Sequence, residues 1–308
     1  MDAKVMPAPV EEYQKLIEQD FPDLKVESIK YLGSGWDNAA MLINEQYVFR
    51  FPRGLFEPSE RLKTDEIEKE VNILNYLQGK VSFAVPKPTF VASGFRYFGY
   101  ELLQGTLWDQ IDSTQQFSDE FLKSWVETRS EISKVTPIGE CAQLKIPKYR
   151  TDKNQKLVES YIADQTADIR VRELAQEARD YILNHLTSSD SWVFVHEDLQ
   201  QSNCFVDPAQ HKITGVIDWL EAEIGPVEAE FYFWSKWGRQ TLEKAAKIQE
   251  EYDGTKIDIE LARAIHIFYI VADYVDFSKR GFSESAQRKW HQIEQYLHET
   301  NYKELINV

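Results

Sequence analysis

Cysteine is scarce in this sequence. Among its 308 residues only Cys141 and Cys204 are cysteines, and they lie far apart along the chain. Two widely separated cysteines do not make the framework of a disulfide-rich secreted domain, and their spacing is not that of a zinc ligand set. Their scarcity excludes both classes of protein and favours a reducing compartment.

Long hydrophobic runs are also missing. The most apolar segment, residues 262–277, is interrupted by Arg263, His266, Asp273 and Asp276. A membrane-spanning helix needs about 20 predominantly apolar residues, so this segment is not expected to span a bilayer. The opening residues MDAKVMPAPVEEYQKL have neither the basic nor the apolar region of a secretory signal. We therefore expect a cytoplasmic protein with no membrane partner.

Positive charge is in the minority. The sequence has 35 Lys and Arg against 51 Asp and Glu, a formal net charge of −16. Such a surface repels nucleic acid, which is not expected as a partner. The excess acid is compatible with a polycationic ligand, or with solubility alone. A hydrophobic content of 43 % is that of a globular protein, and the length suffices for two lobes with separate cores.

The most informative stretch is residues 191–219, SWVFVHEDLQQSNCFVDPAQHKITGVIDW. Its short apolar runs alternate with polar turns, which predicts strands joined by tight loops. Asp198 and Asn203 lie in the first loop, and Asp218 follows the last apolar run. Polar side chains in loops on a rigid scaffold are the usual location of catalytic groups.

These three side chains suit phosphoryl transfer from a nucleotide to a hydroxyl. That reaction needs a carboxylate facing the attacking hydroxyl and oxygen ligands for the Mg²⁺ on the phosphates. Asp198 is the candidate for the carboxylate. Asn203 and Asp218 are the candidates for metal binding, because Mg²⁺ prefers hard oxygen donors. The alternative is a surface hairpin with ordinary polar residues.

The pattern His196-x-Asp198-x4-Asn203, followed by Ile217-Asp218-Trp219, resembles the catalytic and metal-binding segments of the aminoglycoside phosphotransferase family. This family is a branch of the protein-kinase-like superfamily. The resemblance implies that Asp198 is catalytic, that Asn203 and Asp218 bind Mg²⁺, and that His196 holds the loop.

The resemblance also implies a fold, an α+β protein with two lobes. Residues 1–104 would form a nucleotide-binding lobe with an antiparallel β-sheet, and residues 105–308 a mainly helical lobe for catalysis and substrate binding. Hydrophobic periodicity agrees. It predicts strands over 24–32, 39–43, 46–51, 89–92 and 97–103, and helices over 9–18, 64–77, 118–135, 157–186, 257–279 and 286–297.

Residues 33–38 form a small-residue turn, Gly33-Ser34-Gly35-Trp36-Asp37-Asn38, between two predicted strands. Such a turn lets backbone N–H groups approach phosphates. In the family, a loop of this type covers the nucleotide, which makes Ser34 and Gly35 candidates for nucleotide binding. An ordinary hairpin turn is the alternative.

A cation on the next strand and an acid on the next helix complete the expected phosphate site. Kinase-like folds place a Lys where this sequence has Arg50, which can hold phosphate oxygens with a different geometry. Arg53 is a second candidate for this role. The acid that pairs with the cation matches Glu70 in the family. The alternatives are a basic strand edge and a solvated helix charge.

The family binds the purine base at a hinge strand through backbone groups. Matching Gly105 to the hinge glycine makes the Glu101 carbonyl and the Leu103 N–H the implied contacts. Because side chains contribute little to such contacts, the sequence leaves ATP and GTP equally open.

The sequence departs from the family pattern at two acids. Glu197 stands where the family usually has Gly, and it either raises the negative potential beside Asp198 or points to solvent, the second being favoured. Glu230 stands where the family has an Asp that bonds the catalytic loop backbone. Acids that bind substrate ammonium groups in related enzymes add further substrate candidates beside Glu197: Glu221, Glu223, Asp273 and Asp276. Solvated surface charge is the favoured alternative for each of these four.

The predicted function is therefore a small-molecule O-phosphotransferase that uses Mg²⁺ and ATP or GTP. An aminoglycoside substrate fits the acidic composition. A macrolide fits the aromatic C-terminal half, since Ile217-Asp218-Trp219-x-Glu221-Ala222 also looks like the macrolide kinases. A choline, homoserine or sugar kinase, and a module that binds nucleotide without turnover, are further alternatives. The oligomeric state is left open.

Overall fold

The computed structural model describes residues 6–35, 38–56, 62–113, 115–149, 154–186 and 189–299. The chain divides into two compact units. The sheet unit comprises Ala3–Pro147 and Asp198–Glu223. The helical unit comprises the described residues of Lys148–Glu197 and of Ile224–Val308. The lobe boundary after residue 104 stays a prediction.

The described strands and helices follow one another along the chain as the sequence patterns largely indicate. The strands are β1 (Ile29–Ser34), β2 (Asn38–Ile43), β3 (Tyr47–Pro52), β4 (Pro88–Val91), β5 (Phe98–Glu101), β6 (Thr106–Leu107), β7 (Val193–Val195), β8 (Cys204–Asp207), β9 (Lys212–Val216) and β10 (Glu223–Gly225). The helices are α1 (Val10–Asp20), α2 (Thr64–Leu77), α3 (Asp119–Lys134), α4 (Cys141–Leu144), α5 (Gln155–Ala163), α6 (Ile169–His185), α7 (Glu228–Phe231), α8 (Arg239–Asp253), α9 (Ile259–Arg280) and α10 (Ser283–His298).

An antiparallel sheet, in the order β1-β2-β3-β5-β4, forms the first part of the sheet unit, as predicted. The β2–β3 turn is tight because Asn44 and Glu45 both have positive φ, which is the geometry of a type I′ turn. The strand predicted over 24–32 begins only at Ile29. Upstream, the Asn44 side chain bonds backbone groups of residues 25, 27 and 28, which therefore do not join the ladder.

The rest of the sheet unit positions the candidate site. A smaller sheet, β6-β8-β9, carries the second half of the 191–219 stretch. The β8–β9 pair is antiparallel, with Cys204 opposite Val216. A core of Tyr13, Phe49, Phe51 and Tyr97 packs beneath the first sheet, and each of these side chains is fully buried.

The helical unit packs α5, α6, α9 and α10 around a common core. The helical region predicted over 157–186 is broken, because Asp164 accepts a hydrogen bond from Thr166 N and Asp168 caps α6 by accepting from Arg170 N. Helix α8 was not predicted. No helix in the described parts of the chain is long and apolar enough to cross a membrane.

Candidate active site

A cavity of about 710 Å³ opens in the sheet unit. Its apolar lining consists of Leu32, Ala40, Val48, Tyr100, Leu102, Leu103, Leu107, Phe205, Ile217 and Leu220. Its polar lining includes Ser34, Arg50, Asp198, Gln200, Asn203, Asp218 and Glu221. A mainly apolar pocket in which a few polar groups converge is typical of a ligand-binding site.

Asp198 is held by two amide side chains of the loop that follows it. Gln200 Nε2 donates to Asp198 Oδ1 at 2.7 Å, and Asn203 Nδ2 donates to Oδ2 at 2.7 Å. Burial raises the pKa of Asp198 to about 7, assisted by the charge of Asp218 and opposed by the two amide bonds. A carboxyl group with a pKa near neutrality is suited to accept a proton from a ligand in the cavity.

Backbone bonds bring Asn203 and Asp218 to the same wall of the cavity. Ile217 N donates to the Asn203 carbonyl at 2.9 Å, which fixes the residue before Asp218 beside the loop. The Asn203 side-chain nitrogen also donates to the Asp198 carbonyl at 2.9 Å, so the Asn203 Oδ1 atom is the one left to face a ligand. Asp218 has a φ of 66°, a left-handed conformation that is uncommon for a non-glycine residue and clusters at functional sites.

The donor chemistry of this wall fits Mg²⁺ bound to a phosphate ligand. An Asp218 carboxylate and an Asn203 amide are hard oxygen donors, and Mg²⁺ typically takes one or two protein carboxylates and completes its shell with phosphate and water. No cluster of three or more His, Cys, Asp or Glu suited to a metal occurs in the described residues. The wall therefore does not form a complete protein cage for a metal.

Arg50 bridges two acids at the inner end of the cavity. Its Nη1 donates to Glu70 Oε1 and its Nη2 to Asp218 Oδ1, each at 2.6 Å. Glu70 Oε1 also accepts from Trp219 N at 3.3 Å. Burial lowers the pKa of Arg50, but the charges of Asp218 and Glu70 outweigh it and raise that pKa overall. Burial raises the pKa of Glu70, and the positive charge of Arg50 opposes this rise. Each of the two residues therefore stabilises the charged form of the other.

We expect Glu70→Ala to lower the free energy of unfolding by about 3–5 kcal/mol, because it leaves Arg50 buried without its innermost partner. Urea unfolding followed by circular dichroism measures this change. Glu250→Ala, at an exposed position of α8, is the control and should change the value by less than about 0.5 kcal/mol. Equal small effects in both variants would mean that the buried pair does not stabilise the fold.

The turn and the hinge predicted for nucleotide binding are only partly in the cavity. Ser34, Gly35 and Leu103 line it, and Tyr31 Oη shares a hydrogen bond of 2.6 Å with Ser34 Oγ. Glu101 ends β5 opposite Tyr47 and is exposed. Two residues of the predicted turn, Trp36 and Asp37, lie outside the described residues.

The acidic substrate candidates do not form one group. Glu221 lines the cavity, and its charge helps to raise the pKa of Asp198. Glu223 is buried at the start of β10. In the helical unit, Asp273 forms an ion pair with Lys289 at 2.7 Å, and Asp276 one with Arg280 at 3.5 Å. Of the four candidate acids that follow Asp218 in the sequence, Glu221 alone therefore lines the cavity.

Glu197 and Glu230 belong to the helical unit. The favoured interpretation of Glu197 as a solvent-facing acid was wrong, because its exposed fraction is 4 %. Glu230 makes the backbone bond expected of the family's acid, since its Oε2 accepts from His196 N at 2.6 Å. His196 is fully buried.

Sequence reasoning missed Gln200, which lines the cavity and contacts Asp198 directly. Its spacing is the signal that could have found it. A residue two positions after an Asp in a tight turn lies within reach of the Asp carboxylate, as in side-chain-bonded turns.

Comparisons with known proteins identify structures of similar fold. The structure resembles the GDP and kanamycin complex of APH(2")-IIia with a TM-score of 0.77 and 21 % identity, covering 92 % of this chain and 97 % of that chain. It resembles macrolide 2'-phosphotransferase type I with a TM-score of 0.69 and 19 % identity, covering 94 % and 98 %. It resembles apo MphH, a macrolide 2'-phosphotransferase from Brachybacterium faecium, with a TM-score of 0.65 and 16 % identity, covering 94 % and 98 %.

These likenesses confirm the kinase-like α+β fold that the sequence predicted. The family model for APH, the phosphotransferase enzyme family, matches residues 28–265, which is well over half of the chain. The match includes the candidate residues from Ser34 to Glu223. The chain therefore belongs to the phosphotransferase enzyme family.

Proposed function

We propose that this protein is a small-molecule kinase that moves the γ-phosphoryl group of ATP or GTP onto a hydroxyl of its substrate. The observation that carries the proposal is the convergence of Arg50, Asp198, Asn203 and Asp218 on one cavity. Each of the four is tied to another of them by a hydrogen bond of 2.6–2.7 Å.

The nucleotide would occupy the cavity with its base in the apolar part. Leu32, Val48 and Leu103 offer apolar contact there. The proposed hinge contacts are the Leu103 N–H and the carbonyl of Glu101, a residue that is not part of the cavity lining. Arg50, with Glu70 behind it, would bind phosphate oxygens. Arg50 is the only Lys or Arg among the described residues of the lining. A triphosphate therefore needs additional positive charge.

Asn203 and Asp218 would hold the Mg²⁺ that accompanies the nucleotide. Bound there, the ion supplies positive charge at the phosphoryl oxygens, where negative charge develops in the transition state. Asp218 would then serve two cations, the metal and Arg50. The Asp198–Asn203 bond would keep the base and the metal ligand in fixed register.

Asp198 would act as the base. In the reaction, the acceptor oxygen forms a bond to the γ-phosphorus while the bond to the bridging oxygen of the leaving diphosphate breaks. The proton of the acceptor hydroxyl goes to the Asp198 carboxylate. Its raised pKa makes the carboxylate a better proton acceptor than an exposed Asp.

An aminoglycoside-type antibiotic is the acceptor we propose first. The net charge of −16 favours a polycation, and Glu221 adds a carboxylate to the cavity near Asp198. The second candidate is a macrolide, favoured by the Ile217–Ala222 pattern and by the likeness to two macrolide 2'-phosphotransferases. The proposed cellular location is the cytoplasm, and the proposed outcome in the cell is antibiotic resistance.

Nucleotide consumption with a panel of aminoglycosides, macrolides, choline, homoserine and sugars tests the proposal. We expect Mg²⁺-dependent turnover with at least one member of the panel, with either ATP or GTP as donor. Mg²⁺-dependent nucleotide binding without turnover on any acceptor would instead favour a binding module.

Gln200→Ala should lower kcat about 5–20-fold, because it removes one of the two donors that orient the Asp198 carboxylate, and such a bond is worth about 1–2 kcal/mol. Steady-state kinetics at saturating nucleotide measures the change. Gln210→Ala, on the exposed turn of the same hairpin, is the control. A kcat for Gln200→Ala within twofold of the control would show that Gln200 does not orient Asp198 for catalysis.

A further inference from the structure

Glu197, the residue before Asp198, has an unusual backbone conformation for its type. Its φ is 65°, in the left-handed region that glycine adopts freely and most other residues avoid. For a glutamate this conformation is strained. This φ accounts for the Gly that usually stands at this position in the family that the sequence resembles. A glutamate at the same position needs contacts that compensate for the strained backbone.

Two tyrosines of the helical unit provide such contacts. Tyr269 Oη, from α9, donates to Glu197 Oε1 at 2.5 Å, and Tyr232 Oη donates to the Glu197 carbonyl at 3.0 Å. The two rings meet edge to face with centroids 5.2 Å apart. One residue earlier, Glu230 accepts from His196 N. The side chain and the backbone of Glu197 are therefore both anchored, and its side chain is almost fully buried.

We propose that Glu197 is a positioning residue for Asp198, anchored by Tyr269 and Tyr232, and this role rests on the proposed phosphotransferase function. The φ and ψ angles of residue 197 set the direction in which the next residue leaves the chain. A glycine would leave these angles free, whereas the two tyrosine bonds hold Glu197 in a single conformation. Pre-organisation of this kind reduces the cost of orienting the base in the transition state.

This role differs from the substrate contact expected from the sequence. A carboxylate that binds a substrate ammonium group must have its charge and an open face. The Glu197 side chain is 4 % exposed and accepts a short hydrogen bond from a tyrosine. A neutral hydrogen-bond acceptor of the same shape would keep the bond to Tyr269 but would lose the charge that a substrate ammonium group needs. Such a replacement therefore distinguishes a positioning role from a substrate contact.

Tyr269→Phe, Glu197→Ala and Glu197→Gln test the proposal, with Tyr274→Phe as the control. Tyr274 lies on the same helix and is half-buried like Tyr269. We expect Tyr269→Phe and Glu197→Ala to lower kcat about 5–20-fold, because each removes the hydrogen bond between these two side chains. The nucleotide Kd should stay within about twofold. Glu197→Gln should restore kcat to within about threefold of the wild type, because its amide oxygen still accepts from Tyr269.

Two kinetic results would overturn the proposal. In the first, Glu197→Gln is as impaired as Glu197→Ala and raises KM for cationic acceptors alone, which identifies a substrate contact. In the second, Tyr269→Phe has the same kcat as Tyr274→Phe.

Hydrogen exchange of residues 193–200 supplies a readout that needs no turnover. We expect faster amide exchange there in Tyr269→Phe and Glu197→Ala, and wild-type exchange in Glu197→Gln and Tyr274→Phe. If the wild type phosphorylates no acceptor, the proposed function fails. Independently of that result, unchanged amide exchange in all variants would refute the anchoring of the loop by Tyr269 and Glu197.

Discussion

Replacing Asp198 by alanine is expected to lower kcat about 10²–10⁴-fold, the usual contribution of a positioned general base. Asp198 is the carboxylate that the loop amides hold toward the cavity. The nucleotide Kd should change little, because Arg50, Asn203 and Asp218 remain. The measurements are steady-state kinetics and isothermal titration of the Mg²⁺-nucleotide.

Asp198→Asn should show the same loss of turnover with a gain in stability. Burial raises the pKa of Asp198 to about 7 in the fold. A group with a raised folded pKa contributes stability at low pH that is lost as the pH rises through the folded value. The wild type therefore carries an unfavourable buried charge above about pH 7, and the asparagine variant does not. We expect the variant to be more stable than the wild type at pH 8 and to show no gain at pH 4.

Urea unfolding at both pH values checks this expectation, with Asp109→Asn as a control at an exposed position of the same unit. Wild-type turnover in Asp198→Asn would rule out Asp198 as the base. If the stability difference between Asp198→Asn and the wild type did not depend on pH, the buried charge of Asp198 would not be its cause.

Replacing Asp218 by asparagine is expected to lower kcat/KM about 10³-fold, since it removes both a proposed metal ligand and a charge partner of Arg50. Metal coordination has a more specific signature than loss of rate. Wild-type nucleotide affinity should rise when Mg²⁺ is added, and the variant should lose most of that increase.

The bond between Arg50 and Glu70 makes it possible to distinguish loss of a metal ligand from loss of the Arg50 partner in Asp218→Asn. In Asp218→Asn, Arg50 keeps its 2.6 Å bond to Glu70, so the cation stays in place. We therefore expect affinity for the metal-free nucleotide to be retained. Asp109→Asn again serves as the matched control. If Mg²⁺ strengthened nucleotide binding equally in wild type and Asp218→Asn, Asp218 would not be a metal ligand.

Local sequence signals predicted much of the fold. Helix α2 has the predicted bounds, and Ser118 caps α3 by accepting from Phe121 N. These features depend on periodicity and on caps, which are local. The break between α5 and α6 was missed because Asp164 and Asp168 bond their own backbone, which interrupts a helix that the periodicity alone favours.

The candidate site was predictable in part for the same reason. Asp198 and Asn203 are five positions apart in one tight loop, and a hairpin brings Asp218 beside them, so sequence spacing sufficed to group them. The environment of Glu197 was not predictable. Its burial and the hydrogen bonds that hold its positive φ depend on Tyr232 and Tyr269, which are distant in sequence. Substrate residues are hard to identify for the same reason, because exposed acids abound in a chain of this charge.

The most direct test follows a γ-labelled phosphoryl group from ATP or GTP to the acceptor panel, with wild type and Asp198→Ala compared in the presence and absence of Mg²⁺. We expect label on the hydroxyl of at least one acceptor, and only when wild-type protein and Mg²⁺ are both present. Undiminished transfer by Asp198→Ala, or a wild type that binds Mg²⁺-nucleotide and labels no acceptor, would contradict this expectation.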